Sequence, residues 1–383
     1  MMPIMRVCKK CLTTDLRPNA SFNDDGVCIA CQYSSISKVK SSKIKLESLI
    51  KKLNQTRKKT KKTSQYDCIV GVSGGKDSTR QAHWVRDRLG LNPLLVCAAY
   101  PPLQMSEIGA KNLSNLLSMG FNLIALTPAP QTSAKLSLKS FELFGNVCKS
   151  TEMALFSTVP RIAIDNGINM IFWGENPALQ MGDSAALGND EYDGNNLRKI
   201  NTLTQGGSDW IHENIDKFYK YHHYYYPDEI LFDRKKISIF YLGAAWDDWS
   251  NKSNSIYAAL NGLTLRPNEE SVTGDISNAS MLDEEFTNIN MMLKFFKFGF
   301  GRATDLVCEM IRNGSITRAE GITIVEQYDG ICDDSIIEKY CAYVGISIDR
   351  FWDIARHWTN KDIFDVTSQK PIKQFKVGFN FYA

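Results

Sequence analysis

The six residues Ser73-Gly74-Gly75-Lys76-Asp77-Ser78 constrain what this chain can fold into more than any other stretch. They follow Asp67-Cys68-Ile69-Val70-Gly71-Val72, a short apolar run of the kind that forms a parallel strand buried on both faces. A helix is predicted from near Ser78 to about Leu89-Gly90. A glycine turn between strand and helix suits an anion, because the backbone can approach closely and the helix end offers free N–H groups. Ser73 and Ser78 add hydroxyl donors, Lys76 a cation, and Asp77 a carboxylate able to hold Mg²⁺ against phosphate oxygens. The loop is not a Walker A sequence, G-x4-GK-[ST]. Gly71 stands one residue too close to Gly75, and Asp77 follows Lys76 where Ser or Thr is required.

The same rhythm continues downstream. Leu94 to Ala99, Leu123 to Leu126 and Ile168 to Trp173 read as further strands, and Ile237 to Leu242 as a return to the sheet. Ser106 to Met119 reads as helix, with Leu113, Leu116 and Leu117 on one face and Gly120 as its stop; more helix covers about 135–165. Short strands alternating with helices predict an α/β fold with a doubly wound parallel sheet, whose ligands bind at the carboxyl ends of the strands. Residues 178–235 break the rhythm and read as an insertion or lid. Their aromatic cluster, His222-His223-Tyr224-Tyr225-Tyr226, serves either as a platform for a sugar or base or as a core edge. After about 285 the pattern is helical to the end. Thr317 and Glu320 form a capping-box pair there, and Gly345 closes a helix begun near Asp334.

The N-terminal 35 residues are turn-rich and too short to bury a core unaided, so something must staple them. Cys8, Cys11, Cys28 and Cys31 give C-x2-C-x16-C-x2-C, two knuckles supplying four sulfurs to a tetrahedral ion. A full sulfur set leaves no position for water, so the predicted site is a structural Zn²⁺. Four reduced thiols or an iron–sulfur cluster are the alternatives. The other six cysteines are scattered through apolar patterns and read as small core residues.

Residues 38–62 hold ten Lys and one Arg against one Glu, whereas the rest of the chain, with 34 basic and 41 acidic groups, is net −7. Leu46, Leu49, Ile50 and Leu53 within this segment mark an amphipathic helix. Its charges are either a solvated face or a contact for phosphate or a partner. An acidic body argues against a broad nucleic-acid-binding face. No apolar run approaches the length of a membrane span, and the N-terminus lacks the apolar stretch of a secretory signal, so a soluble cytoplasmic protein is expected.

With strand, loop and helix in place, SGGKDS resembles the PP-loop of N-type ATP pyrophosphatases. That resemblance implies a sheet of the adenine-nucleotide α-hydrolase-like type and cleavage of ATP between its α and β phosphates. Across nearly its whole length the chain resembles the N-acetyl sugar amidotransferases of bacterial surface-polysaccharide (O-antigen) biosynthesis. The matching stretches begin with Arg6-Val7-Cys8-Lys9-Lys10-Cys11, Pro18 and Asp25-Gly26-Val27-Cys28. Gly109-Ala110-Lys111-Asn112-Leu113 and Trp173-Gly174-Glu175-Asn176-Pro177 follow, then Tyr241-Leu242-Gly243, Trp246-Asp247 and Lys297-Phe298-Gly299-Phe300-Gly301-Arg302-Ala303-Thr304-Asp305. The chain departs from the family at Ala244-Ala245, where bulky residues are usual, a change that bears on the acceptor pocket.

The resemblance implies a synthetase that converts the acetamido group of a nucleotide sugar to an acetamidino group. ATP activates the amide oxygen as an O-adenylyl imidate, which ammonia then displaces. It implies ammonia from separate glutaminase-like and cyclase-like subunits, similar to those of histidine biosynthesis; no glutaminase signature stands in the sequence. The expected ATP-binding residues are Ser73 to Ser78 and Gly174. Lys76, Asp77, Ser78, Lys297 and Arg302 are the expected catalytic groups, and Glu175, Asn176 and Asp247 the candidate substrate contacts. The expected organisation is a zinc ribbon over 1–35, a basic connector over 36–65, the ATP pyrophosphatase unit over 66–285 and helices over 286–383. The competing readings are a tRNA thiolase or lysidine-type enzyme, which favours a broad basic groove, and a non-enzymatic adaptor.

Overall fold

A computed structural model describes residues 4–37, 42–59, 64–174, 177, 185, 188–189, 193–204, 208–214, 222–246, 248–267 and 269–382. Its centre is a five-stranded parallel sheet in the order β3-β2-β1-β4-β5. The strands are β1 (Cys68–Gly71), β2 (Pro93–Ala98), β3 (Asn122–Leu126), β4 (Met170–Trp173) and β5 (Ser238–Tyr241). Each is short and apolar and lies within two residues of its expected place. Parallel pairing sets Ile69 beside Leu94 and Ile171, and Leu95 beside Leu123.

Alternation along the strands builds two cores. Ile69, Leu94, Val96, Ile171 and Ile239 point to one face, where α6 (Lys149–Asp165) covers them with Val159 and Ala163. Cys68, Val70, Leu95 and Phe172 point to the other, under Ala82 of α3 (Lys76–His83) and Leu116 of α4 (Glu107–Ser118). Helices on both faces make the fold α/β. The basic connector forms α2 (Ser42–Lys59), which follows α1 (Ile29–Ser37) and buries Leu49 and Leu53 on the second core. Its Ile50 stays exposed.

Two boundaries differ from expectation. Helix α3 begins at Lys76, inside the loop, and continues beyond His83 as a π-helical turn, Trp84–Arg88. The stretch before β4 is two helices, α5 (Pro130–Phe144) and α6. Gly145, at φ 59°, ends the first, and a Cβ there would stand 2.5 Å from the Trp358 ring.

After β5 the chain forms α7 (Asn251–Leu260), α8 (Thr287–Phe298), α9 (Arg302–Asn313), α10 (Arg318–Tyr328), α11 (Asp334–Val344) and α12 (Ile348–Trp358). The Thr317–Glu320 capping box and the left-handed Gly345 stand where the sequence places them. The helical pattern does not run to the end. Beyond Trp358 the chain turns into a small antiparallel pair, Phe364–Asp365 with Ile372–Lys373, and returns to the N-terminus through a bridge between Met5 and Phe381. Pro371 lies at that turn, where it cannot donate a helical hydrogen bond. The cysteine-bearing segment thus shares one buried core with these helices: Val7, Leu12 and Val27 pack with Phe286, Leu293, Val307 and Phe375.

Candidate functional site

The sheet order reverses between β1 and β4, so a crevice opens at the carboxyl end of β1, where the glycine loop begins. Gly74 is left-handed at φ 84°, and a Cβ on it would stand 3.1 Å from the Leu113 amide nitrogen of α4. Only glycine lets the loop pass this helix without strain. Ser78 and Thr79 hydroxyls donate to the Gly75 carbonyl at 3.1 and 2.9 Å, closing the first turn of α3. Lys76 Nζ sits 2.7 Å from Asp77 Oδ2, while Asn254 Nδ2 donates to Asp77 Oδ1 at 2.6 Å. Burial works to raise the Asp77 pKa, but Lys76, Asn254 and Arg302 outweigh it and hold the carboxyl below its usual range.

This loop forms one wall of a cleft of about 380 Å³. Ser73, Gly75, Lys76 and Asp77 face Arg302, Asp305 and Arg312 of α9, Asp283 before α8, and Arg17 from the N-terminal segment. Arg302 donates to Ser280 Oγ. Tyr100, just beyond β2, donates to Asp283 Oδ2 at 2.8 Å. Burial pushes Asp283 up despite hydrogen bonds from Tyr100 and Ser73. Its neighbour Glu284, pushed to about 8 by burial and by Asp283, accepts from Gln104 and from the Phe286 amide.

Tyr100 also lines a second cavity of about 320 Å³ at the carboxyl ends of β2 and β3. Ala98, Leu126 and Pro128 give it apolar walls; Gln104, Thr132 and Ser133 add polar groups, and His223 and Tyr224 close one side. Part of the aromatic cluster therefore stands over a cavity.

The expected site residues do not all meet. Ser73, Gly75, Lys76, Asp77 and Arg302 line one cleft. Lys297 does not join them: at the last turn of α8 its Nζ donates to the Phe144 carbonyl at 2.5 Å, against the rings of Phe298 and Trp358. Burial, helped by Lys149, lowers its pKa to about 8. Gly174 follows β4 and its carbonyl accepts from the Gly243 amide; a Cβ there would meet Gln81 and Trp249 at 3.0 and 3.2 Å. Its smallness serves packing at the strand ends. Glu175, Asn176 and Asp247 lie outside the described residues.

Sequence reasoning missed Arg17, Tyr100, Asp283 and Asn254. For Asp283 one signal was present: Gly109 lets the chain cross α4, since a Cβ there would stand 2.6 Å from the Asp283 backbone. Asn112 of the same helix holds a second segment by bonding both backbone groups of Thr264.

Cys8, Cys11, Cys28 and Cys31 are all buried, with sulfurs within 4.8 Å of one another. Cys8 Sγ accepts the amides of Lys10, Cys11 and Cys28 at 3.3–3.5 Å, the polarity a thiolate needs. Hydrogen bonds from Cys28 and then Cys308 hold the Cys11 thiol below its usual range. Four such sulfurs can hold a metal ion such as zinc.

Residues 281–377 match the family described as LPS biosynthesis protein WbpG-like, C-terminal domain. No curated protein matches the chain. The WbpG-like region carries Asp283, Arg302, Asp305 and Arg312, the wall of the cleft opposite the glycine loop, and supports a place in a polysaccharide-biosynthesis family. Among the described residues no helix is long and apolar enough to cross a membrane.

Proposed function

We propose that this chain is a cytoplasmic ATP-dependent amidotransferase of lipopolysaccharide biosynthesis, converting the acetamido group of a nucleotide sugar to an acetamidino group. The observation that carries the reading is the cleft in which SGGKDS, the stretch that resembles a PP-loop, faces Arg302 of the WbpG-like region.

An amide carbon is a poor electrophile until its oxygen becomes a leaving group. In this reading the amide oxygen attacks the α-phosphate of ATP, pyrophosphate leaves, and an O-adenylyl imidate remains. Ammonia adds at the carbon; AMP departs with the oxygen, and the added nitrogen gives up a proton. Backbone N–H groups of the loop, Lys76 and Arg302 would take the charge that builds on the departing pyrophosphate. Asp77 would hold Mg²⁺, which supplies further neutralisation at the phosphates. The cavity over β2 and β3 suits the nucleoside, since it shares Tyr100 with the loop cleft and has apolar walls. The cysteine quartet would hold a structural Zn²⁺ and take no part in the chemistry.

Ammonia would come from separate glutaminase-like and cyclase-like subunits. The deciding experiment incubates the purified chain with ATP, an ammonium salt and candidate nucleotide sugars, and follows the sugars by mass spectrometry. Exchange of the acetamido oxygen for NH, with AMP formed in equal amount, is the expected result; no AMP formation with any acetamido sugar overturns the reading.

A further inference from the structure

Arg17 lies in the cysteine-bearing segment, remote in sequence from the glycine loop, yet its side chain is about nine-tenths buried at the loop cleft. Four contacts fix it there. Its guanidinium pairs with Asp305, and stacks 4.0 Å from the centre of the Phe300 ring. The segment that leads to it is pinned to the C-terminal helices, where the Leu12 amide donates to Cys308 Sγ at 3.3 Å and the Thr14 hydroxyl to the Phe298 carbonyl at 3.3 Å.

Several cations gather on one carboxylate there. Asp305 already takes Lys294 Nζ at 2.7 Å, so one carboxylate answers two cations, with Arg302 acting on it as well. Burial alone works to raise the Asp305 pKa, but Arg17, Lys294 and Arg302 outweigh it and hold it far below the usual carboxylate range. Arg17 and Arg302 each keep a buried Nε–H with no acceptor among the described residues. Unmet guanidinium donors beside the glycine loop and the N-terminus of α3 call for a multiply charged oxyanion.

We propose that Arg17, supplied by the cysteine-bearing segment, binds the pyrophosphate end of the nucleotide together with the glycine loop and Arg302, and that Asp305 holds it in place when no anion is bound. This rests on the ATP-splitting reading above and extends it to a residue outside the loop and outside the WbpG-like region. The phosphate site is then assembled from both ends of the chain.

The test measures binding of inorganic pyrophosphate by calorimetry to the full-length protein and to Arg17→Gln, with the thermal unfolding midpoint followed in parallel. Losing a charge-assisted contact should weaken binding about ten- to hundredfold while the midpoint stays close to that of the parent. Equal binding by a folded Arg17→Gln overturns the inference and leaves the ATP-splitting reading standing. A parent protein that binds no pyrophosphate overturns both. If Arg17→Gln fails to fold, Asp305→Asn reads the relation from the other side. Freeing Arg17 should tighten pyrophosphate binding, a direction no folding defect produces; unchanged or weaker binding overturns the inference.

Discussion

Asn254 and Asp77 lie 177 positions apart and meet at 2.6 Å, amide nitrogen to carboxylate oxygen. The other end of the Asn254 amide accepts from Arg80 Nη1 at 2.7 Å, and Arg80 is anchored in turn on Asp248. Helix α7 is thereby locked to α3, and the loop carboxylate is aimed before any ligand arrives. In Asn254→Ala, Arg80 and Asp77 each lose a buried partner, at a cost of about 1–3 kcal/mol. The expected outcome is a fall of about tenfold or more in pyrophosphate release with a modest loss of stability. Asn254→Asp should be worse for activity, since it sets a second carboxylate against Asp77. Steady-state assays beside thermal melts check both.

If the loop is a PP-loop, ATP yields AMP and pyrophosphate, and ADP is not formed. Asp77→Ala should abolish the reaction and leave the fold intact. Ser78→Ala is expected to do the same, although it also removes the hydroxyl that caps Gly75. Chromatography of the nucleotide products decides; ADP as the main product sinks the assignment.

The loop and sheet were legible because each depends on neighbours in sequence: apolar runs make buried strands, and a glycine pair between strand and helix makes a turn. Partners joined by folding were not. Nothing local to Arg17 or Asn254 says that either reaches the loop. Lys297 and Arg302 sit five residues apart in one matching run, yet only Arg302 faces the cleft. The left-handed Gly299 separates their helices, so the run gave no common face to read. The apolar residues of the C-terminal tail fit a helical pattern as sequence. What they pack on is the cysteine-bearing segment at the other end of the chain. The expected staple for that segment therefore has a second source in this shared core.

Because the quartet and the C-terminal helices share a core, metal should be felt well beyond the first 35 residues. About one zinc per chain is expected for a four-ligand site. Cys28→Ser, or a strong chelator, should lower the unfolding midpoint by at least several degrees, since zinc binding in small sites contributes on the order of 10 kcal/mol to folding. Elemental analysis with paired melts tests this. A folded, metal-free protein with an unchanged midpoint refutes it.

Glu284 gives a pH signature in stability. Its folded pKa is raised to about 8 by burial and by Asp283. The folded state therefore holds a proton that the unfolded chain releases near its ordinary value. The associated stability is present in full below about pH 4 and is lost as pH rises through 8. Glu284→Gln cannot make that release, so its unfolding free energy should fall less than the parent's between pH 5 and 9. Urea titrations at three pH values across this range measure the two slopes; parallel slopes contradict the placement of a neutral carboxyl there.

The nitrogen source supplies the last prediction. No glutaminase signature stands in the 383 residues, yet the proposed reaction consumes ammonia at every turnover. The purified chain should accept ammonium salts and not glutamine. Neutral ammonia is the nucleophile, so the ammonium-driven rate should climb with pH toward the ammonium pKa while the nucleotide site keeps its charge. Asp77 and Asp305, both held below the usual carboxylate range, stay ionised over that span, and neither should set a limb of the profile. Adding glutaminase-like and cyclase-like partners should make glutamine effective and flatten the pH dependence, because ammonia would then reach the imidate without equilibrating with solvent. The comparison needs only ATP, an acceptor sugar and either nitrogen source, with AMP as the readout. Turnover on glutamine by the isolated chain, at the rate seen with ammonium, would show that the glutaminase resides within this sequence and that its division of labour has been misread.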